Sequence, residues 1–154
     1  DNRDSFVYDE RTTIRRHTLV LKEQSIKRRG YLYKKGNNLI KDWRKRWFVL
    51  YKTSLYYYDS EEHQNSQLPL GILELESVEI TISKEVPKKF YFELCTPNRI
   101  YYLYAESRED MQDWIKTLKQ CMKDAKARAN EIETKRKSTL RGQYQAIPSF
   151  LQDP

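Results

Sequence analysis

The chain is poor in the residues that punctuate or staple a fold: its 154 residues include 4 Gly, 5 Pro and 2 Cys. With so little glycine there is no Gly-rich loop to cradle phosphates, which argues against a nucleotide enzyme. Cys95 and Cys121 stand alone and make neither a disulfide framework nor a metal cluster, so a reduced cytosolic setting is expected. The histidines, His17 and His63, lie far apart in polar stretches and read as surface residues rather than metal ligands. No apolar run approaches the ~20 residues of a membrane-spanning helix. No signal peptide is visible, so membrane contact, if any, is expected to be peripheral. Carboxylates are plentiful, but no pair is placed for acid–base work. The expectation is a non-enzyme without cofactor or metal.

Tyrosine and positive charge are abundant. Twelve Tyr bring the aromatic share to 13%, which favours strands over a helical bundle. Lys and Arg total 29 against 22 Asp and Glu, a net charge of +7. Nine of the basic residues crowd into positions 27–46: Lys27, Arg28, Arg29, Lys34, Lys35, Lys41, Arg44, Lys45 and Arg46. Asp42 is the one acid there, so the local excess is greater than that of the whole chain. Such a field attracts phosphates.

Residues 1–26 are polar and irregular apart from Thr18-Leu19-Val20-Leu21, and read as an extension or linker. From Gly30 onward, short aromatic and β-branched runs predict about seven strands: 31–34, 46–51, 55–58, 71–75, 78–82, 90–94 and 100–104. Gly36-Asn37-Asn38 and Thr96-Pro97-Asn98-Arg99 are turn signals, and Ser60 to Gln67 is a polar loop. The period then changes. Ser107 with Asp110 resembles a capping box, and Met111, Ile115, Leu118, Met122, Ala125, Ala129 and Ile132 form a helical stripe. The expected helix spans 108–136, with a tail over 138–154. The fold class is mainly β with one C-terminal amphipathic helix capping a seven-stranded barrel or sandwich. Its expected divisions are 1–26, 27–124 and 125–154, the last a helical extension and flexible tail.

This layout resembles the pleckstrin-homology (PH) domain family. Gly30-Tyr31-Leu32-Tyr33-Lys34-Lys35-Gly36 resembles the family's opening strand, Trp43 to Leu50 its second strand, and Trp114 the tryptophan that plugs one end of the barrel. The resemblance covers roughly residues 27–124. Members that bind 3-phosphorylated inositides carry a Lys, a short loop, then basic-x-Arg before an apolar strand; here that reads Lys34, then Arg44-Lys45-Arg46. The resemblance implies that Lys34 and Arg46 grip the inositol phosphates, Lys41 and Arg44 support them, and Tyr57 donates its hydroxyl. Lys27, Arg28, Arg29 and Lys35 are expected to add general attraction to an anionic membrane. Leu70 stands where strong binders often have a basic residue, and only a short turn near Arg99 stands where some have an insertion. The implied partners are phosphoinositide lipids on a cytoplasmic membrane surface. Because the apolar stripe outruns one barrel, a partner or a second copy is expected along 123–136.

Other readings carry less. The aromatics of the second and third strands resemble stacking platforms for single-stranded nucleic acid, but alternation sends about half of them to the core. Arg15-Arg16-His17-Thr18 and Arg136-Lys137-Ser138 match basic-directed kinase sites of a kind that arises by chance. The main alternative is a protein-interaction module on the same superfold, like phosphotyrosine-binding or EVH1 domains.

Overall fold

The structure, a computed structural model, describes residues 25–36, 42–83 and 88–151. Seven strands run through them: β1 (Arg28–Lys35), β2 (Trp43–Leu50), β3 (Ser54–Tyr58), β4 (Gly71–Glu74), β5 (Glu79–Thr81), β6 (Tyr91–Cys95) and β7 (Ile100–Tyr104). They pair antiparallel in the order β4-β3-β2-β1-β7-β6-β5. The outermost strands, β4 and β5, are sequence neighbours joined by the single 3-10 turn Leu75–Ser77. The two ends of the sheet therefore lie side by side, and the sheet curls around its own core. A mainly β fold with one C-terminal helix is what the sequence led us to expect.

Alternation decides what goes inside. Leu32, Phe48, Leu50, Leu55, Leu73, Phe92, Leu94 and Leu103 are at most 2% exposed and form one cluster. Helix α1 (Arg108–Gln145) closes it with Trp114, Ile115, Leu118, Cys121, Met122 and Ala125. The Ser107 hydroxyl caps the helix, accepting the Asp110 N–H at 3.1 Å. Trp114 is completely buried, 6.5 Å centroid to centroid from Phe48 and edge-on to it.

The opposite face of β2 and β3 carries a second cluster of Trp47, Val49, Tyr51 and Tyr58. The stretch expected to be a polar loop helps to cover it, as the 3-10 turn Glu61–Asn65. Trp47 Nε1 donates to Gln64 Oε1 at 2.9 Å, and the Glu61 N–H donates to the Tyr31 hydroxyl at 3.1 Å.

Several boundaries differ from the sequence reading, β1 among them, which begins at Arg28 rather than Tyr31. Strand β2 begins at Trp43 rather than Arg46, which makes Arg44 a strand residue. Phe90, read as the start of a strand, instead has a left-handed φ of 59° and precedes β6. The helix continues past 136 to Gln145, through Gly142. One helical glycine costs about 1 kcal/mol relative to alanine, and the residues before it are compatible with a helix. The stretch read as tail is thus helical to Gln145, with a 3-10 turn at Ser149–Leu151. Among the described residues no helix is long and apolar enough to cross a membrane. The segment Thr18 to Leu21 lies outside the described residues.

A cationic cavity at the open end of the barrel

Strand register builds this site. Lys34 lies opposite Arg44, Leu32 opposite Arg46, Phe48 opposite Tyr57, and Tyr57 opposite Gly71. Directly paired residues share a face, so these side chains point the same way. Leu32, Phe48 and Tyr57 belong to the core; Lys34, Arg44 and Arg46 continue the same inward rows beyond it. Their cationic ends line the mouth of the barrel. With Gly36, Tyr57, Leu70 and Arg99 they line a cavity of about 290 Å³. The Gly36 N–H donates to the Asp42 carbonyl at 3.0 Å and closes the base of the β1–β2 loop.

The charges in this cavity oppose one another. Lys34 Nζ stands 5.2 Å from the Tyr57 ring centre and 5.7 Å from that of Tyr101. The Arg99 guanidinium lies 4.1 Å from the Tyr101 centre. Burial lowers the Lys34 pKa from 10.5 to about 8, with further lowering from Arg99, Arg46 and Arg44. Arg46 donates through Nη1 to Asp59 Oδ1, and its side chain is only 18% exposed. Arg46 is thus a largely enclosed, ion-paired charge. Burial raises the Tyr57 pKa, as does Tyr101, while Arg99 and Arg46 oppose the rise. The phenol therefore stays protonated at neutral pH and able to donate. Gly71 is needed beside it, since a Cβ there would come within 2.4 Å of the Tyr57 ring.

Lys34, Arg44, Arg46 and Tyr57 are thus gathered by the fold, while Lys41 lies outside the described residues. Lys45 points the other way, 3.5 Å from Glu106 and 4.7 Å from the Tyr31 ring centre. Lys35 is also on that outer face, 5.3 Å from the Tyr102 ring centre. Lys27, Arg28 and Arg29 lie apart from this cavity: Lys27 precedes β1 and the two arginines open it, about six residues and roughly 20 Å of strand from Lys34. Arg28 is held by Asp110 and lies 5.1 Å from the Trp114 ring centre, where it ties β1 to the helix. Arg99 was missed because nothing local marks it. Its signal was topological: a strand after a short turn, in a sheet where β7 pairs with β1, brings that turn beside Lys34. Among the described residues no group of three His, Cys, Asp or Glu side chains is placed to hold a metal ion.

Comparison with known proteins agrees with this geometry. The family model described as "PH domain" matches residues 26–123. Pleckstrin homology domain-containing family A member 5 of Homo sapiens is 36% identical over 95 residues, 59% of this chain and 8% of that protein. Src kinase-associated phosphoprotein 2 of Rattus norvegicus is 34% identical over 103 residues, 62% of this chain and 28% of that protein. The chain thus spans less than a third of either relative. The solution structure of the PH domain of the human family A member 5 aligns at a TM-score of 0.56 with 32% identity, covering 64% of this chain and 78% of that one. The C-terminal PH domain of pleckstrin, crystallised with D-myo-Ins(1,2,3,5,6)P5, aligns at 0.54 with 30% identity, covering 64% and 96%.

Proposed function

The chain belongs to the PH domain family, and from that premise we propose that its cationic cavity binds the phosphorylated headgroup of an inositol lipid at a cytoplasmic membrane surface. One observation carries the reading. Lys34, Arg44, Arg46 and Arg99 crowd into one cavity, where burial and then the three neighbouring guanidiniums lower the Lys34 pKa to about 8. A polyanion would relieve that crowding. The inositol phosphate bound to pleckstrin's PH domain supports the same ligand class. Arg44 and Arg46 are forked donors on a rigid strand, suited to phosphate oxygens. Lys34 and Arg99 supply flanking charge, and Tyr57 a hydroxyl. Leu70 lines the cavity and is 56% exposed, and nearby Leu68 is 42% exposed, so this rim suits the apolar side of a bilayer interface. The Lys34 to Arg46 motif favours 3-phosphorylated headgroups.

The test compares Arg46→Ala with Lys45→Ala on vesicles containing a polyphosphorylated inositide or phosphatidylserine alone. Arg46→Ala should remove most inositide binding and Lys45→Ala much less. Inositide binding should also outlast phosphatidylserine binding as salt rises. Equal loss in both variants, or equal salt sensitivity for both lipids, would mean diffuse attraction and no headgroup pocket. A second reading, association with a partner or another copy, rests on the distal helix, where Ile132 is 61% and Leu140 49% exposed.

A further inference from the structure

A larger groove lies away from the cationic cavity, with a volume of about 880 Å³. One wall is a single face of α1: Arg108, Met111, Gln112, Ile115, Lys116 and Lys119 recur at spacings of three and four. The other wall is Ile82, Lys89 and Phe90. Its apolar surface comes from Phe90, Met111, Ile115 and Ile82, the last 49% exposed. Four cations rim it, and no lining residue among those described carries negative charge. Phe90 holds its left-handed φ of 59° while its carbonyl accepts the Ala105 N–H at 3.0 Å. That conformation costs an aromatic residue on the order of 1–2 kcal/mol. The surrounding structure imposes this conformation, and the phenyl ring lines the groove wall.

We propose that this groove docks an acidic, amphipathic segment of a partner protein, with its apolar side chains against Phe90 and Met111 and its carboxylates on the cationic rim. Two features favour a peptide over a lipid. Arg108 and Lys119 are eleven residues apart on the helix, roughly 16 Å, so the positive charge is spread along a line. Carboxylates spaced along a chain match that line, and the single headgroup of an anionic lipid does not. The groove also sits at the opposite end of β6 from the turn carrying Arg99: Phe90 precedes the strand and Thr96 follows it, roughly 20 Å apart. A bilayer seated on the Arg99 end leaves this groove open to a protein. The charge pattern supplies selectivity, and the apolar wall supplies most of the driving force.

The test uses the whole chain and three fluorescein-labelled twelve-residue peptides. One alternates Glu or Asp with Leu and Phe, one replaces the acids with Lys, and one replaces Leu and Phe with Ser. Anisotropy measures binding, and amide chemical shifts locate it. The acidic-apolar peptide should bind and shift Phe90, Met111 and Ile115. Lys116→Gln with Lys119→Gln should weaken it at least fivefold without moving the melting temperature, since both side chains are exposed. Binding of a soluble inositol phosphate should be unchanged in that double variant. The proposal is overturned if the acidic peptide does not bind, if its charge-reversed or Ser-substituted copy binds as well, or if the shifts centre on Lys34 and Arg46. Phosphatidylserine vesicles shifting the groove amides in place of the peptide would overturn it in favour of a lipid site.

Discussion

Lys34 links the cavity to protons that can be counted. Its pKa of about 8 arises from burial first, then from Arg99, Arg46 and Arg44. A polyphosphate in the cavity supplies the missing negative charge and returns the amine towards its ordinary 10.5. At pH 8.5 the free protein holds Lys34 about three-quarters neutral, so binding should take up roughly 0.75 proton per ligand. Phosphate groups with a second pKa near ~6 are already ionised there and contribute little. Titration calorimetry with a soluble inositol tetrakisphosphate, in two buffers of different ionisation enthalpy, reads that number. Lys34→Arg, always protonated, should retain binding and lose the uptake. The same shift has a stability side. Between about pH 8 and 10.5 the unfolded chain binds more protons than the native one, so stability should rise with pH across that window. The full shift corresponds to about 3 kcal/mol, and screening of this half-exposed amine reduces it to about 1 kcal/mol. Lys34→Met should therefore stabilise the domain by about 1 kcal/mol at pH 7 while weakening ligand binding. No proton uptake in the native protein, or equal uptake in Lys34→Arg, would refute the placement of Lys34 against the ligand.

Gly71→Ala drives a methyl into the Tyr57 ring, 2.4 Å away, and should cost about 1–3 kcal/mol in urea unfolding while weakening headgroup binding. Asp59→Asn frees Arg46 from its carboxylate and should tighten soluble inositol phosphate binding by up to about fivefold, measured by calorimetry; weaker binding would mean that Asp59 orients Arg46 rather than competing for it. Arg28→Ala breaks the contact with Asp110 and uncovers Trp114, so it should lower stability by about 2 kcal/mol and leave vesicle binding intact; reduced vesicle binding without destabilisation would return Arg28 to the membrane face. Ending the chain at Ala127 keeps every buried helix residue through Ala125 and removes Ile132 and Leu140, so light scattering should show a self-associating chain becoming a monomer; monomers in both would end the case for self-association through the distal helix.

The fold was legible because its two periods are clean. Tyr31 to Lys34 alternates in and out, and Met111 to Ala125 repeats every three or four residues, so strand and helix separate without ambiguity. Half the site was legible for the same reason: alternation alone puts Arg44 and Arg46 on one face and Lys45 on the other. What stayed hidden lies where sequence distance and spatial distance diverge. Lys27, Arg28 and Arg29 belong to the same basic run as Lys34, yet a strand is extended, and a few residues carry charge to the far end of the barrel. Arg99 lies 65 positions after Lys34 and reaches it only through the β1–β7 pairing, which no local pattern encodes. Asp59 was equally hidden, one residue past the end of β3 and level with Arg46 in the register that pairs Trp47 with Tyr58.

The Lys34 pKa also shows why composition alone could not identify the site. A positive stretch on an open surface repels itself little, because water screens it within about 10 Å. The same charges at the mouth of a barrel stand on a rigid frame of Phe48, Tyr57 and Tyr101, and cannot spread apart. Arg46 is anchored further by Asp59. Frame and repulsion together turn an ordinary basic run into a preorganised anion site, because the cost of gathering the cations is met when the chain folds rather than when a ligand arrives. A rigid cluster should distinguish phosphate arrangements on an inositol ring, whereas a mobile one would register only total charge. Headgroup preference therefore follows from the stiffness of β1 and β2, and substitutions that loosen Phe48 should broaden the range of inositides bound before they abolish binding.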